Sequence, residues 1–416
     1  MNRYDSTYDW VGSVDLTPYP DCTVYEPPHD VPIENNTLRE TLKNPLGTKA
    51  LEDLLLERNV RSALIIVDDI ARPTPQKEIL SHIVPIFERC GIPAERITLL
   101  IALGLHRPMT QTEMEQRYGI DVVKRCRVVN HDPYDDANLV NIGTIGNGQP
   151  VTINSLAASA EFILGIGQIA PHRVVGFSGG AKIIVPGVSG KDIVSYLHWM
   201  GWTTDSRKIF AIPDNPVRNE VNRIGDLAKL NFVINVLMEE TEVVHYYCGH
   251  HRQVYEQASR QILEAYSIPI PQSDVVVIEA FPYDLDMQQA AKAVCSAEMV
   301  TKNGGAVVLV TTCPDGWHVN FPSLKKTGYL PYSEVVTRVE SNRLDKLIGC
   351  HFAAFGRVLE TGRIYVVSNH LKDEDITAMN LIPVQNVSEA LEAEVRRKGS
   401  DIKISIIKKS GKVIPK

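Results

Sequence analysis

The stretch Pro171-His172-Arg173-Val174-Val175-Gly176-Phe177-Ser178-Gly179-Gly180-Ala181-Lys182 puts an imidazole, a glycine turn and a primary amine close together, and His198 follows sixteen residues after the lysine. An imidazole changes charge near neutral pH and also ligates metals, while a lysine amine can bond covalently to a carbonyl carbon. The glycines admit positive φ and let the backbone approach a ligand closely. A turn of this kind can also leave N–H groups free to face an anion. A P-loop is excluded, because that motif needs Ser or Thr after its Gly-Lys pair, whereas Lys182 stands between Ala181 and Ile183. The equipment suits chemistry around a bound cofactor; the plainer alternative is a sharp strand-to-helix turn with a solvated lysine.

Three further groups could join it. Asp68-Asp69-Ile70-Ala71-Arg72-Pro73-Thr74-Pro75 would offer free amides, the Arg72 cation and a helix N-terminus to a phosphate or carboxylate. Its bland reading is a turn closed by an Asp69–Arg72 ion pair. Gly104-Leu105-His106-Arg107-Pro108 supplies a second imidazole, and His106 and His172 projected toward one crevice could act as opposed acid and base on the two faces of one carbon. In Gln288-Gln289-Ala290-Ala291-Lys292, Gln289 and Lys292 share one face of an expected helix, with small alanines between them.

The elements that must position these residues alternate between short apolar runs and helical patterns, which predicts an α/β protein with largely parallel or mixed sheets flanked by helices. Ala63–Val67 reads as a buried strand, followed by a helix capped by Thr74 with Pro75 at its first position. Residues 97–102 read as the next strand, and Thr110-x-x-Glu113 as a capping box that opens another helix. Residues 139–145 and 150–153 flank Gly146-Asn147-Gly148 as a hairpin, and residues 162–166 form a strand that leads into the glycine segment. Residues 190–199 read as a helix that carries His198. The proline-rich stretch around residue 270 reads as a linker, which divides the chain into domains of residues 1–270 and 271–416. Beyond it, strands at 275–278, 306–310, 363–367 and 402–407 accompany a helix over 286–300. In such folds ligands bind outside the carboxyl ends of the strands, where Asp69, His106 and His172 fall.

Composition bounds the function. With 44% hydrophobic and 22% charged residues the chain reads as a globular protein of two domains. A net charge of -7 argues against a nucleic-acid surface. The N-terminal residues lack a signal-peptide pattern and no apolar run is long enough to span a bilayer, so a cytoplasmic location is expected. Seven scattered cysteines without a C-x-x-C pair read as reduced thiols.

Taken together, Asp69-x-x-Arg72-Pro73-Thr74-Pro75, Gly104-x-His106-Arg107-Pro108, His172-x-x-x-Gly176-Phe177-Ser178-Gly179-Gly180-x-Lys182, His198 and Gln289-x-x-Lys292 resemble the signature of the nickel-pincer lactate racemase family. The resemblance implies a racemase or epimerase of small 2-hydroxy acids with its site in the cleft between two domains. The implied cofactor is a nickel-pincer nucleotide, a pyridinium bisthiocarboxylate mononucleotide. By matching position, Lys182 would hold it covalently, His198 would ligate the nickel, and His106 and His172 would be the acid/base pair. Asp69, Arg72, Gln289 and Lys292 would hold cofactor or substrate and orient the bases. Cofactor-synthesis proteins would be the partners needed for loading. Gln288, beside the matched Gln289, leaves room for an acid longer or more hydroxylated than lactate.

Two other functions stay open at this level. A nicotinamide-dependent 2-hydroxy acid dehydrogenase would need a Gly-x-Gly-x-x-Gly turn, of which Gly165-Ile166-Gly167 followed by Ala170 is a poor copy. A non-catalytic sensor could use the same pocket. Cys248, His250 and His251 suggest a soft-metal cluster, but adjacent histidines tend to point apart and no fourth ligand is near. His131 reads as turn chemistry, and His318 and His351 fall in no motif.

Overall fold

A computed structural model describes residues 14–28, 33–239, 242–317 and 327–416. His318 lies outside the described residues. The chain forms two compact units. One spans residues 32–201 and 208–262; the other takes the chain before 32, residues 202–207 and residues 263–416.

The first unit is built on a six-stranded sheet in the order Glu242–Gly249, Phe232–Glu239, Ile163–Gln168, Ala63–Asp68, Ile97–Ala102, Arg127–Asn130. All neighbours are parallel except the edge pair formed by the first two. Ala63–Asp68 is buried along its whole length, as a strand covered on both faces must be. From it the chain moves outward to Ile97–Ala102 and Arg127–Asn130, then returns to Ile163–Gln168 on its other side. That reversal makes a topological switch point at the carboxyl end of Ala63–Asp68, where loops from both sides converge. The helix Gln76–Arg89 lays Ile79, Leu80, Ile83 and Phe87 into the core on one side.

Thr110 and Glu113 form the expected capping box, and Leu139–Ile145 pairs antiparallel with Gln149–Asn154 as the expected hairpin. Thr74 does not cap a helix. Pro75 occupies the N-cap position, and the Thr74 hydroxyl instead donates to Asp68 Oδ2 at 2.5 Å. Asp68 is a buried carboxylate and needs donors, so it takes Thr74 together with Gln76 Nε2 at 2.8 Å and Arg117 Nη2 at 2.9 Å.

The second unit holds a parallel six-stranded sheet in the order Cys22–Tyr25, Ile404–Ile407, Ser273–Glu279, Thr301–Val310, Arg363–Val367, Ile382–Pro383. The strand Cys22–Tyr25, close to the start of the chain, therefore pairs in the C-terminal sheet, and residues 202–207 also belong to this unit. A contiguous division at residue 270 does not carry either feature. The expected linker is partly structured, because Ser267–Ile268 pairs parallel with Ile414–Pro415. Asp286 caps the helix Met287–Val300 by accepting from Gln289 N at 2.7 Å, which sets the rotation of Gln289 and Lys292 about the helix axis.

Candidate active site

Asp69 and His106 leave adjacent parallel strands and meet. Their strands pair in register from Ala63–Ile97 to Asp68–Ala102, and beyond their ends His106 Nδ1 lies 2.6 Å from Asp69 Oδ2. Asp69 is buried, which by itself raises a carboxyl pKa; hydrogen bonding and charge from His106, with Arg72 and the Ala71 amide, outweigh that and hold the group below its ordinary value. An ionised Asp69 can only accept, so His106 donates through Nδ1–H. Its Nε2 is then the lone-pair nitrogen of the neutral ring. The Asp69–Arg72 ion pair of the bland reading is not formed among the described residues; Asp69 is engaged by His106 and by Ala71 N at 3.1 Å. Arg107 grips Glu113 through two nitrogens at 2.9 and 2.6 Å, tying the His106 loop to the helix behind it.

His172 is set differently. Pro171–His172 pairs antiparallel with Gly176–Phe177 in a short hairpin, and Val174 N donates to His172 Nδ1 at 3.1 Å. A ring whose Nδ1 accepts carries the proton of its neutral form on Nε2. His106 and His172 therefore present opposite polarity at Nε2: one accepts, the other donates.

Three amides of the glycine turn are already engaged. Ser178 N donates to Ala170 O, Gly180 N to Asn235 Oδ1 and Lys182 N to Gly179 O, at 2.8, 2.7 and 3.2 Å. Its glycines serve close packing: a Cβ on Gly176, at φ +79°, would lie 2.2 Å from Ile212 O, and one on Gly179 2.8 Å from Asn235 Oδ1. Gly165 and Gly167, the poor copy of a dinucleotide fingerprint, sit inside the strand Ile163–Gln168, where Gly165 makes room for Ile183. That placement removes the dehydrogenase argument, since the fingerprint requires a turn between strand and helix.

His198 lies on the helix Lys191–Thr203 and donates Nδ1–H to Val194 O at 2.8 Å. Burial lowers its pKa to about 4; the hydrogen bond opposes this, and the charge of nearby Lys182 adds to it. The ring is thus neutral at physiological pH with its lone pair on Nε2, which is the state a metal ligand needs.

Backbone contacts draw these segments together. Gly104 N, two residues before His106, donates to Gly187 O at 3.0 Å, five residues after Lys182. Val174, two residues after His172, packs so closely on the His198 helix that a Cβ on Gly201 would come within 2.5 Å of it. His106, His172, Lys182 and His198 all belong to the first unit. In the second unit, Lys292 Nζ donates to Gln289 Oε1 at 2.8 Å and lies 4.1 Å from the centre of the Tyr283 ring.

Family models of the lactate racemase N-terminal domain and C-terminal domain match residues 12–209 and 269–414. The chain belongs to the lactate racemase family. It is 29% identical to the lactate racemase of Lactiplantibacillus plantarum, over 91% of this chain and 90% of that protein. It is 26% identical to that of Thermoanaerobacterium thermosaccharolyticum, over 90% and 88% respectively. Its fold matches the solved lactate racemase apoprotein from Thermoanaerobacterium thermosaccharolyticum with a TM-score of 0.86, at 24% identity, covering 97% of this chain and 96% of that one. A solved protein from Thermotoga maritima matches with a TM-score of 0.68 at 21% identity, over 92% and 99%. The fold class is thereby shown to be that of the lactate racemase structure.

The remaining polar clusters have structural explanations. Asp226, His250 and His251 bring ligand atoms within 4.8 Å of one another. Asp226, however, accepts from the Arg252 guanidinium and from His251 Nε2 at 3.0 Å, so its charge is already countered. Cys248 takes no part; it is buried in its strand. His131 is a buried histidine and no turn residue, with Nε2–H donating to Ser189 O at 3.0 Å and Nδ1 accepting from Asn154 at 3.2 Å. Among the described residues no helix is long and apolar enough to cross a membrane.

Sequence reasoning missed Asn235 and Arg218, which hold the glycine turn from behind. Arg218 lies on the helix Pro216–Leu227 among the buried positions Val217, Val221 and Ile224. A charge on an apolar stripe was the available signal.

Proposed function

We propose that this protein is a racemase or epimerase that inverts C2 of a small 2-hydroxy acid, lactate or a longer or more hydroxylated relative, with a nickel-pincer nucleotide. The observation that carries the reading is the opposite polarity of the two imidazoles, His106 with a bare Nε2 backed by Asp69 and His172 with Nε2–H fixed by Val174 N. A two-faced inversion needs one base ready to take a proton and one acid ready to give it.

The residues suit the cofactor. His198 is neutral, its Nδ1 is spent on Val194 O, and Nε2 is left to ligate; a nitrogen donor of this kind suits nickel(II). Lys182 is near enough to depress the His198 pKa and supplies the amine for covalent attachment. The chemistry such a group would supply when bound is reversible hydride acceptance at C2. Around it, His106 Nε2 takes the substrate hydroxyl proton, Asp69 stabilises the resulting imidazolium, and His172 delivers its Nε2 proton to the alkoxide formed on the opposite face. Arg72, Gln289 and Lys292 bind the substrate carboxylate or the cofactor phosphate, and the Gln289–Lys292 hydrogen bond orients the amine.

The cytoplasm, where thiols stay reduced, is the compartment we assign, and cofactor-synthesis proteins are the partners required for loading. The test is production of the protein beside that synthesis machinery, followed by chiral separation of the products from one enantiomer of lactate and of longer 2-hydroxy acids. Inversion of at least one acid is expected; a loaded protein that inverts none would contradict the reading.

A further inference from the structure

Behind the glycine turn lies a buried cation that the proposed chemistry does not use. Arg218 is 1% exposed and makes no ion pair among the described residues. Its guanidinium stacks on the Tyr255 ring, 3.5 Å from the ring centre. Nη2 donates to Phe177 O at 2.6 Å, to Ser178 O at 3.4 Å and to Gly179 O at 3.3 Å, and Nη1 also reaches Gly179 O at 3.4 Å. Three consecutive carbonyls thus converge on one fork. Gly179 O is in turn the acceptor for Lys182 N at 3.2 Å. One carbonyl oxygen therefore joins the buried arginine to the backbone of the lysine.

We propose that Arg218 is a positioning residue for Lys182, holding the turn 177–179 through its carbonyls so that the lysine stem leaves the backbone in one fixed direction. A buried guanidinium without a carboxylate is costly to keep and is poorly explained as a mere filler of the core. A planar fork reaches several acceptors whose relative positions must be fixed, and a lysine in its place would offer only a point charge on a flexible stem. Asn235 completes the grip from the sheet side, accepting from Gly180 N at 2.7 Å and donating to Gly167 O at 3.2 Å. Lys182 therefore stands on a turn fixed by a helix on one side and by a strand on the other. The inference rests on the reading of Lys182 as the attachment point, but its structural content concerns the turn alone.

The experiment uses the full-length apoprotein, so it needs no loaded cofactor. Arg218→Met, Arg218→Lys and Tyr255→Leu are compared with wild type by two site-resolved readouts. One is amide hydrogen exchange across residues 177–182. The other is acylation of Lys182 relative to every other lysine, by a limiting amine-directed reagent read by peptide mass spectrometry. The expected result in Arg218→Met is faster exchange confined to 177–182 and a change in Lys182 acylation relative to the other lysines. Arg218→Lys should recover part of it and Tyr255→Leu should show a smaller version. Exchange and acylation equal to wild type, or changes spread evenly over all lysines and amides, would overturn the proposal. Should Arg218→Met fail to fold, Arg218→Lys decides by the same two readouts. A wild-type protein that shows the ordered turn yet acquires no adduct when co-produced with the synthesis machinery would count against the function and leave Arg218's role standing.

Discussion

His106 and Asp69 share a hydrogen bond of 2.6 Å, Nδ1 to Oδ2, between an exposed ring and a buried carboxylate. The pairing fixes which ring nitrogen is bare, because an ionised carboxylate cannot donate. Asp69→Asn keeps the shape and removes the charge. Its effect should be a fall in inversion rate of roughly a hundredfold to ten-thousandfold, the range general acid–base catalysis supplies, with nickel content unchanged. Wild-type turnover in that variant would show that Asp69 does not set the base.

The same carboxylate gives a pH dependence of stability. Its folded pKa is lowered, so the unfolded chain binds the proton more readily, and the stabilisation is present above the ordinary carboxylate pKa of about 4 and is lost as pH falls through the folded value. The stability difference between wild type and Asp69→Asn, taken from denaturant unfolding of apoprotein, should be largest at neutral pH and shrink on acidification. A difference that grows toward low pH would reverse the sign and refute the assignment.

Opposite tautomers at His106 and His172 can be observed directly. Nitrogen-15 correlation spectra of labelled apoprotein at a pH where both rings are neutral should show Nδ1–H at His106 and Nε2–H at His172, and Asp69→Asn should alter only the former. Two rings in the same tautomer would remove the asymmetry on which the acid/base roles depend.

Gly176 and Gly179 allow a close approach that no side chain would permit. With φ at +79° and Ile212 O in the way of any Cβ, Gly176→Ala should destabilise the protein by about 1–3 kcal/mol or more. A stability equal to wild type in urea unfolding would mean that the turn relaxes freely.

Much of this arrangement was legible in the sequence for a physical reason: strands buried on both faces are apolar throughout, so Ala63–Asp68 and Ile97–Ala102 declare themselves, and the residues after them fall at the sheet's carboxyl edge. The Thr110 capping box is equally local. What escaped depends on distant partners. Thr74 looks like a cap until buried Asp68 competes for its hydroxyl. The glycine turn looks like an anion cradle until Ala170, Asn235 and Arg218 are found to use its amides and carbonyls, and none of these partners is marked by spacing along the chain. The parallel pairing of Cys22–Tyr25 with Ile404–Ile407 joins the two ends of the sequence and has no local signal at all.

In the proposed function Lys182 carries the cofactor while neutral His198 ligates its metal. The decisive measurement is intact-protein mass with nickel analysis on wild type and Lys182→Ala, each produced beside the cofactor-synthesis machinery. An added mass and bound nickel in wild type, with the adduct abolished and nickel lost in Lys182→Ala, are the predicted results. An adduct and nickel content unchanged by the substitution would rule out Lys182 as the attachment point.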